Sequence, residues 1–358
     1  MTVSVLASVK GSIADGGWSM SGKVINDADL LDFDKEITAR YDMYLNGGWS
    51  LFNLAFDGHL KPNPWSKYFQ YSDAPFVAST AQVFLKDGKV QGVFYKNVAS
   101  APANRHQIIG MTYAKIFYEV FGGHCNLMHK SQAVVYDSLL WSGAFTTPTW
   151  DEGFVLLDID TTNSSSVDEY DLREGTLWSK LQELADNDNY YVFFDKTNKL
   201  HFIPHRMFGT LPSVVFTLTS DLMIEPLVFE RRDPATVGQV KVNAFTPAGT
   251  QISGKYPSAP TAGPIQELGG YYATNSSSLG DIAERIYKFD KRDYTVTVQI
   301  GNAMGLKLEL MDRVAITYSS AVDGISWSSK KFWIHEIGVD ILENFTAKTT
   351  LTLEAENA

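Results

Sequence analysis

The hydrophobic period changes in the last quarter of the chain, and this change constrains the fold more than any other sequence feature. Across residues 279–289 apolar side chains recur every three or four residues, which predicts an amphipathic helix. Ser278, followed three residues later by Asp281, is typical of a helix N-cap, so the helix is predicted to begin there. From Tyr294 onward the period is two, which is typical of strands with one buried face.

This period of two predicts four strands after the helix, at residues 294–300, 306–318, 332–341 and 349–353. A helix that leads into a run of antiparallel strands is typical of a small β-barrel or sandwich with one helix packed on it.

Size and composition favour a folded, β-rich protein of more than one domain. The 358 residues allow about two or three domains. A hydrophobic share of 44% and a charged share of 20% are ordinary for a globular chain. The aromatic share of 13% is high, and large aromatic side chains favour pleated, half-buried surfaces.

The charge and the single cysteine exclude several classes. A net charge of −11 without a run of Lys or Arg argues against tight, non-specific DNA binding. Cys125 has no second cysteine with which to form an intrachain disulfide. The apolar stretch 3–7 is short and follows no basic residue, so we expect no signal peptide. No window approaches the roughly 18 uninterrupted apolar residues of a membrane span, so none is expected.

Local patterns upstream predict further elements. Residues 36–43 read as a strand and residues 76–98 as a hairpin, while 113–121 predict a helix that stops at Gly122-Gly123. Residues 176–185 predict an amphipathic helix, followed by a hairpin of 190–194 with 200–204. Other predicted elements are a short helix at 133–140 and strands at 154–157, 214–218, 227–230 and 237–245.

Residues 251–278 are rich in Pro, Gly and Ser, which predicts a long loop. Such a loop is either a contact surface for a partner or a surface insertion without one. A second candidate contact region is the aromatic segment around Trp49, Phe52, Trp65 and Tyr68. Its rings could stack on sugars or nucleobases, but we expect a subunit interface.

Three groups of residues could carry chemistry. Asp158 and Asp160 follow an apolar strand, as in the first motif of haloacid-dehalogenase-type phosphatases, although turn carboxylates explain them better. His124, Cys125 and His129 could bind zinc, but their spacing fits no standard pattern. His201 and His205 share one face of a strand and are interpreted as structural.

Four further carboxylates could in principle include the catalytic pair of a glycosidase, but we interpret them as solvated charges at strand ends. They are Glu225, Glu230, Asp233 and Asp312. No catalytic, cofactor-binding or metal-binding residue is therefore assigned, and an enzyme is not predicted.

The order of elements in the second half is similar to that of one known protein family. The helix and hairpin of 174–204 lead to a strand at 237–242, and the helix 279–289 precedes the closing strands. In this order they resemble the hub proteins at the tail tip or baseplate of tailed bacteriophages. One departure is Met311-Asp312, where many such proteins have Gly-Asp, so the turn is expected to differ in shape.

The resemblance implies a mainly β fold with two tail-tube-like antiparallel β-barrels joined by an α+β helix-hairpin connector. Residues 1–150 would form the first barrel, with the aromatic loop and a helical excursion. Residues 151–208 would form the connector. Residues 209–358 would form the second barrel, with one packed helix and the long loop.

The resemblance also implies a structural virion protein that forms a ring, often a trimer, continuing the tail tube. Its partners would be distal tail, tail tube and tape-measure proteins and a central fibre or spike. DNA would pass through during genome ejection without specific binding. Two alternatives stay open: a tail-associated cell-wall hydrolase or phosphatase, and a carbohydrate-binding receptor adhesin.

Overall fold

The computed structural model describes nineteen stretches of the chain. These are residues 3–25, 36–45, 48–60, 73–79, 93–96, 106–108, 110–124, 156–162, 164–167, 169–171, 175–197, 199–204, 211–224, 227–231, 237–245, 249–271, 276–289, 294–341 and 347–356. Strands predominate among them.

The strands and helices of both halves are counted within these described stretches. The first half contains nine strands and a helix, α1 (Tyr113–His124). The strands are β1 (Val3–Ser12), β2 (Gly17–Ile25), β3 (Glu36–Leu45), β4 (Gly48–Leu60), β5 (Asp73–Ser79), β6 (Val93–Lys96), β7 (His106–Ile108), β8 (Leu157–Ile159) and β9 (Glu169–Asp171).

The second half contains two helices, α2 (Leu177–Asp188) and α3 (Ser276–Phe289), and eleven strands. The strands are β10 (Tyr190–Phe194), β11 (Leu200–Pro204), β12 (Phe216–Thr219), β13 (Val228–Arg231), β14 (Gln239–Phe245), β15 (Gln251–Tyr256), β16 (Ile265–Tyr271), β17 (Tyr294–Ile300), β18 (Arg313–Ser320), β19 (Ile325–Ile341) and β20 (Ala347–Ala355).

One large sheet joins the two ends of the chain. The long strand β19 pairs with β20 along one side, and with β18 and then β1 along the other. In the last pairing Val9 lies opposite Val339. From β1 the sheet continues through β2, β5, β4 and β3. The first strands of the chain are therefore built onto its last strands.

Six strands of this sheet form a curled C-terminal sheet, in the order β12, β18, β19, β20, β17 and β13. The 3₁₀ turn Ser220–Leu222 leads from β12 directly to Met223, which forms a β-bridge with Ile300 of β17. The chain rises about 2 Å per residue from Thr219 to Met223, and the β-bridge adds one strand spacing, so Thr219 lies within about 15 Å of β17. Four strand spacings in a flat sheet would need about 19 Å, so the sheet must curl.

Within the curl the inward side chains share one apolar core, which includes Leu218, Val296, Val314, Ile334 and Leu351. No hydrogen-bond ladder joins β12 to β13 in the described part of the chain. The predicted closed barrel is therefore not found, and the sheet is curled but open.

Strand β10 of the connector hairpin lies between the C-terminal sheet and the helices and has no solvent-exposed face. All five residues of β10 are buried, although β10 lies at the border of a three-stranded sheet. Tyr190 and Phe194 point into a core formed by α1, α2 and β11, while Tyr191 and Phe193 join the core of the C-terminal sheet. The continuous apolar run Tyr-Tyr-Val-Phe-Phe fits this position between two layers.

The local predictions for residues 176–204 are confirmed. Thr176 caps α2 by accepting a hydrogen bond from the backbone N–H of Ser179, and Asn189 ends the helix in the left-handed conformation at φ 55°. The hairpin pairs Val192 with Phe202. That this segment joins two barrels stays a prediction.

Helix α3 packs differently from the prediction. It lies on a separate three-stranded sheet, β15-β14-β16, and not on the C-terminal sheet. Val240 and Val242 of β14 pack there against Leu279 and Ile282 of α3. Two of these strands come from residues 251–271, so the predicted loop at 251–278 is wrong. Ser278 lies inside α3, which begins at Ser276, so the predicted cap is also wrong.

Gly254 sets the distance between α3 and its sheet. A Cβ atom added there would lie 2.0 Å from the backbone nitrogen of Gly280 on α3. Because backbone atoms cannot move aside, we expect Gly254→Ala to lower the free energy of unfolding by about 3 kcal/mol, the upper range for overpacking. Gly269→Ala, on β16 of the same sheet, has nothing within 4 Å of its Cβ and serves as the control in denaturant titration. Equal losses for the two variants would contradict this assignment.

Residues 306–310 do not form the predicted strand. Met304–Lys307 is a 3₁₀ turn, and Leu306, Leu308 and Leu310 are nevertheless all buried. The Asp312 carboxylate accepts a hydrogen bond from the backbone N–H of Glu309, which closes a local turn instead of a ladder. Met311 follows with φ 64°, the left-handed region that glycine favours. The turn thus keeps a glycine-like shape without glycine.

Other differences lie upstream. Helix α1 runs through Gly122-Gly123 to His124, so the predicted stop is wrong. In the predicted hairpin at 76–98, the described strand β6 pairs with β7 and β9 instead of β5. Residues 80–92 of that hairpin and the predicted helix at 133–140 lie outside the described residues. The predicted strand at 36–43 is confirmed as β3.

Candidate functional site

Two open edges of the curled C-terminal sheet form a candidate assembly surface. Strands β12 and β13 each have one described neighbour, β18 and β17 respectively. Beside these edges Val228 is 68% exposed and Val215 is 52% exposed. Unpaired strand edges with apolar side chains are typical places for another chain to add a strand.

Aromatic rings line the inside of the same sheet near these edges. Trp327 lies 5.2 Å from Tyr294 and 6.5 Å from Phe229, ring centre to ring centre, in edge-on contacts. Lys330 Nζ lies 5.0 Å from the Tyr294 ring centre. These rings are only partly buried, so the apolar core reaches the surface here. Aromatic residues are enriched at protein interfaces, which supports an assembly role for this face.

A polar junction ties the connector to the C-terminal sheet and to the β1–β2 hairpin. At its centre the Glu309 carboxyl group accepts hydrogen bonds from the Trp18 indole N–H at 2.6 Å and from the Lys196 backbone N–H at 3.2 Å. Lys196 Nζ donates to the backbone oxygens of Leu306 and Leu308. Three distant segments of the chain therefore meet on one carboxyl group.

Burial raises the pKa of Glu309 to about 7, and the nearby Asp195 charge adds to the effect. Lys196 and the backbone N–H groups of Leu310 and Lys196 oppose this rise. The carboxyl group therefore titrates near neutrality.

The junction continues to His201, one of the histidines singled out in the sequence. Its ring lies between Asp158 of β8 and Asp195 of the connector turn, at 2.8 Å and 3.0 Å. Asp158 is the middle residue of β8, and Lys199 Nζ is 3.7 Å from its carboxylate. Its sheet, β10-β11-β8, has three strands and one antiparallel pair, whereas the phosphatase context requires a parallel sheet of alternating strands and helices.

A buried ion pair ties α2 to α3. Arg285 Nη1 lies 3.0 Å from Asp188 Oδ1, and the two side chains are 5% and 0% exposed. The Asp188 carboxylate also accepts from the Ser164 hydroxyl and the Ser165 backbone N–H. Burial outweighs these partners and raises the pKa of Asp188 to about 6.

The structure brings few of the sequence candidates together. His124 ends α1, while Cys125, His129, His205, Glu225 and Asp233 lie outside the described residues. Glu230 is exposed on β13, and Asp312 closes the turn at Glu309. Trp49 and Phe52 lie on β4, while Trp65 and Tyr68 are not described. Within the described stretches, no three His, Cys, Asp or Glu side chains converge on a metal position.

Sequence reasoning missed Glu309, Trp18, Asp188 and Arg285. Only the Asp-x-Thr pattern at Asp195, typical of a side-chain-capped turn, could have indicated a structured junction there. In the part that the structure describes, no helix is long and apolar enough to cross a membrane.

Comparison with solved structures identifies the fold. A tail protein from Neisseria meningitidis matches over 98% of this chain and 92% of its own, with a TM-score of 0.58 and 13% identity. The tail protein of prophage MuSo2 from Shewanella oneidensis matches over 98% and 93%, with a TM-score of 0.52 and 9% identity.

A third match is the Escherichia coli c3393 protein, described as a type VI secretion system component with structural similarity to the T4 tail proteins gp27 and gp5. The alignment covers 99% of this chain and 74% of the c3393 chain, with a TM-score of 0.51 and 8% identity. None of these three descriptions names an enzyme. Neither a protein-family profile nor a curated protein matches the sequence. The chain therefore has the fold of phage tail proteins, which confirms the resemblance that the order of its elements predicts.

Proposed function

We propose that the protein is a structural component of a phage virion, a hub at the tail tip or baseplate. The observation that carries the proposal is the tail-protein fold, which matches over 98% of the chain. The open edges of the C-terminal sheet support an assembly role, because within the described residues β12 and β13 are each paired on one side only.

In this proposal several copies form a closed ring, with a trimer as the expected number. Each copy would place its β13 edge near the β12 edge of the next, a head-to-tail contact that closes by rotation. The aromatic rings around Trp327 would be covered by this contact. The proposed division into residues 1–150, 151–208 and 209–358 would give each copy two barrel-like units around one connector.

The ring would continue the tail tube and contact distal tail, tube and tape-measure proteins, with a central fibre or spike below. The net charge of −11 suits a channel through which DNA slides without binding, because like charges repel.

The assembly proposal is tested on the purified full-length chain by native mass spectrometry and negative-stain microscopy. We expect ring-shaped particles with the mass of several copies. Val228→Lys places a charge beside the β13 edge and should shift the protein to monomers. Val322→Lys, at the 96% exposed tip of the β18–β19 turn, is the matched control and should keep the rings. A wild-type protein that stays monomeric at its highest soluble concentration would contradict the proposal.

A further inference from the structure

The geometry around His201 fixes its protonation state. Its Nδ1 lies 2.8 Å from Asp158 Oδ2, and its Nε2 lies 3.0 Å from Asp195 Oδ2. Ionised carboxyl groups only accept hydrogen bonds, and a neutral imidazole ring has a single N–H. With both carboxyl groups ionised, the two bonds exist together only if the ring carries two N–H groups and a positive charge.

The surroundings of the ring fit a cation. Phe193 of β10 stacks on it with ring centres 4.8 Å apart. Charged groups also lie near the two carboxylate partners of the ring. Lys199 Nζ is 3.7 Å from the Asp158 carboxylate, and the charges of Glu309 and Asp195 repel each other. From α1 the buried Tyr118 faces Asp158, whose charge adds to burial in raising the pKa of the Tyr118 hydroxyl. Burial alone would lower the pKa of His201, but the bonds and charges of Asp158 and Asp195 outweigh it and raise the pKa.

Asp195 connects the histidine to the connector turn. While Asp195 Oδ2 binds His201, its Oδ1 accepts from the Thr197 backbone N–H at 2.8 Å, the Thr197 hydroxyl at 2.6 Å and the Lys199 backbone N–H at 3.0 Å. The same turn positions Lys196, whose backbone N–H and Nζ hold Glu309 and the Leu306–Leu308 carbonyl groups. The Asp195 side chain thus links the imidazole ring to the turn that attaches the connector to the C-terminal sheet.

We propose that His201 is a proton-dependent clasp, which as an imidazolium holds β8 and the connector turn together and keeps the turn attached to the C-terminal sheet. When the ring releases its proton to solvent, one N–H is lost. One of the two bonds to carboxylate breaks, and Asp158 and Asp195 then face each other with less positive charge between them. The connector turn loosens, and the Lys196 contacts to the sheet weaken. This inference does not depend on the proposed hub function.

The protonation state is tested by NMR of the full-length chain with ¹⁵N-labelled histidine. In spectra that correlate ring protons with ring nitrogens, His201 should show two protonated nitrogens at pH 7 and titrate above the usual pH 6.5. His201→Gln assigns the signal. The matched control is His335, whose Nε2 lies 3.5 Å from Glu354 Oε2. A single protonated nitrogen on His201 at pH 7 would overturn the proposal.

The clasp is tested by amide hydrogen exchange with mass spectrometry, corrected for intrinsic rates. Between about pH 7 and about pH 9, protection of peptides covering 195–204 and 304–310 should fall at least tenfold in the wild type. In His201→Gln, protection should already be low at pH 7 and change little with pH. His335→Gln should keep the wild-type profile, and an unchanged profile in His201→Gln would overturn the clasp.

A third variant covers the case in which His201→Gln does not fold. Asp158→Asn keeps the bond to Asp195 but removes one carboxylate charge, so the His201 titration should move to lower pH. The exchange transition should move with it. If the titration moves and the exchange profile stays, the histidine has no control over the turn and the clasp is refuted.

Discussion

Replacing Arg285 with leucine is expected to lower the free energy of unfolding by about 3–5 kcal/mol, the usual loss when one partner of a buried ion pair is removed. Arg285 is 4% exposed and holds the fully buried Asp188, and its guanidinium group also lies over the Tyr190 ring at 5.3 Å. Without it the Asp188 charge has no described cation beside it in an apolar region. We expect the contact between α2 and α3 to break before the rest of the fold unfolds. Chemical denaturation followed by tryptophan fluorescence measures the loss.

A double variant separates the charge from the packing. In Arg285→Leu combined with Asp188→Asn, the amide oxygen can still accept from the Ser165 backbone N–H and the amide NH₂ group can donate to the Ser164 hydroxyl, but no buried charge is left. We expect it to recover at least half of the loss. Lys288→Leu, one turn away on α3, removes a surface pair with Glu284 and should change stability by no more than about 1 kcal/mol. No recovery in the double variant would refute the ion-pair explanation.

Raising the pH through neutrality is expected to weaken the fold at Glu309. Its folded-state pKa of about 7 lies above the usual 4.5, so the folded state binds the proton more tightly than the unfolded chain. This contribution to stability is fully present below pH 4.5 and is lost as the pH rises through about 7. The shift corresponds to roughly 3 kcal/mol.

Two variants isolate this effect. The stability difference between wild type and Glu309→Gln, measured by urea titration at several pH values, should change between pH 4.5 and about 7 and level off above. Trp18→Phe removes the indole donor at 2.6 Å but keeps the carboxyl group, so its pH dependence should persist. A flat difference for Glu309→Gln across this window would mean that the carboxyl group does not titrate there.

Elements with strong local signals could be predicted from the sequence. The helix at Leu177–Asp188 and the hairpin that follows are set by neighbours in the chain: a threonine cap, an amphipathic repeat and an apolar run bounded by turn residues. The tail-protein resemblance also rests on these residues and on the order of the elements after them. For these elements the sequence pattern was sufficient.

Other elements could not be predicted because their local pattern imitates a different structure. Leu306-Lys-Leu-Glu-Leu310 alternates like a strand, but the Asp312 side chain closes a turn there and the half-buried Glu309 bonds Trp18 and Lys196. Residues 251–271 contain the glycines and prolines of a loop, yet β15 and β16 form by pairing with the apolar strand β14. At residues 306–310 a local side-chain turn overrides the alternation, and at residues 251–271 pairing with β14 decides the structure.

The polar junction around Glu309 could not be predicted, because its residues are far apart in the sequence. Trp18 and Glu309 are separated by 291 positions, and Lys196 and Glu309 by 113. A single sequence carries no signal for such pairs. The candidate site, unlike the connector, therefore required the three-dimensional structure.

The β10 strand has a mechanical consequence for the two layers that it joins. Because both of its faces are buried, in the helical core and in the sheet core, the two layers cannot slide past each other without exposing Tyr191 or Phe194 to water. A pull on one layer is passed directly to the other. Any large internal motion of the chain must then take place outside these two layers.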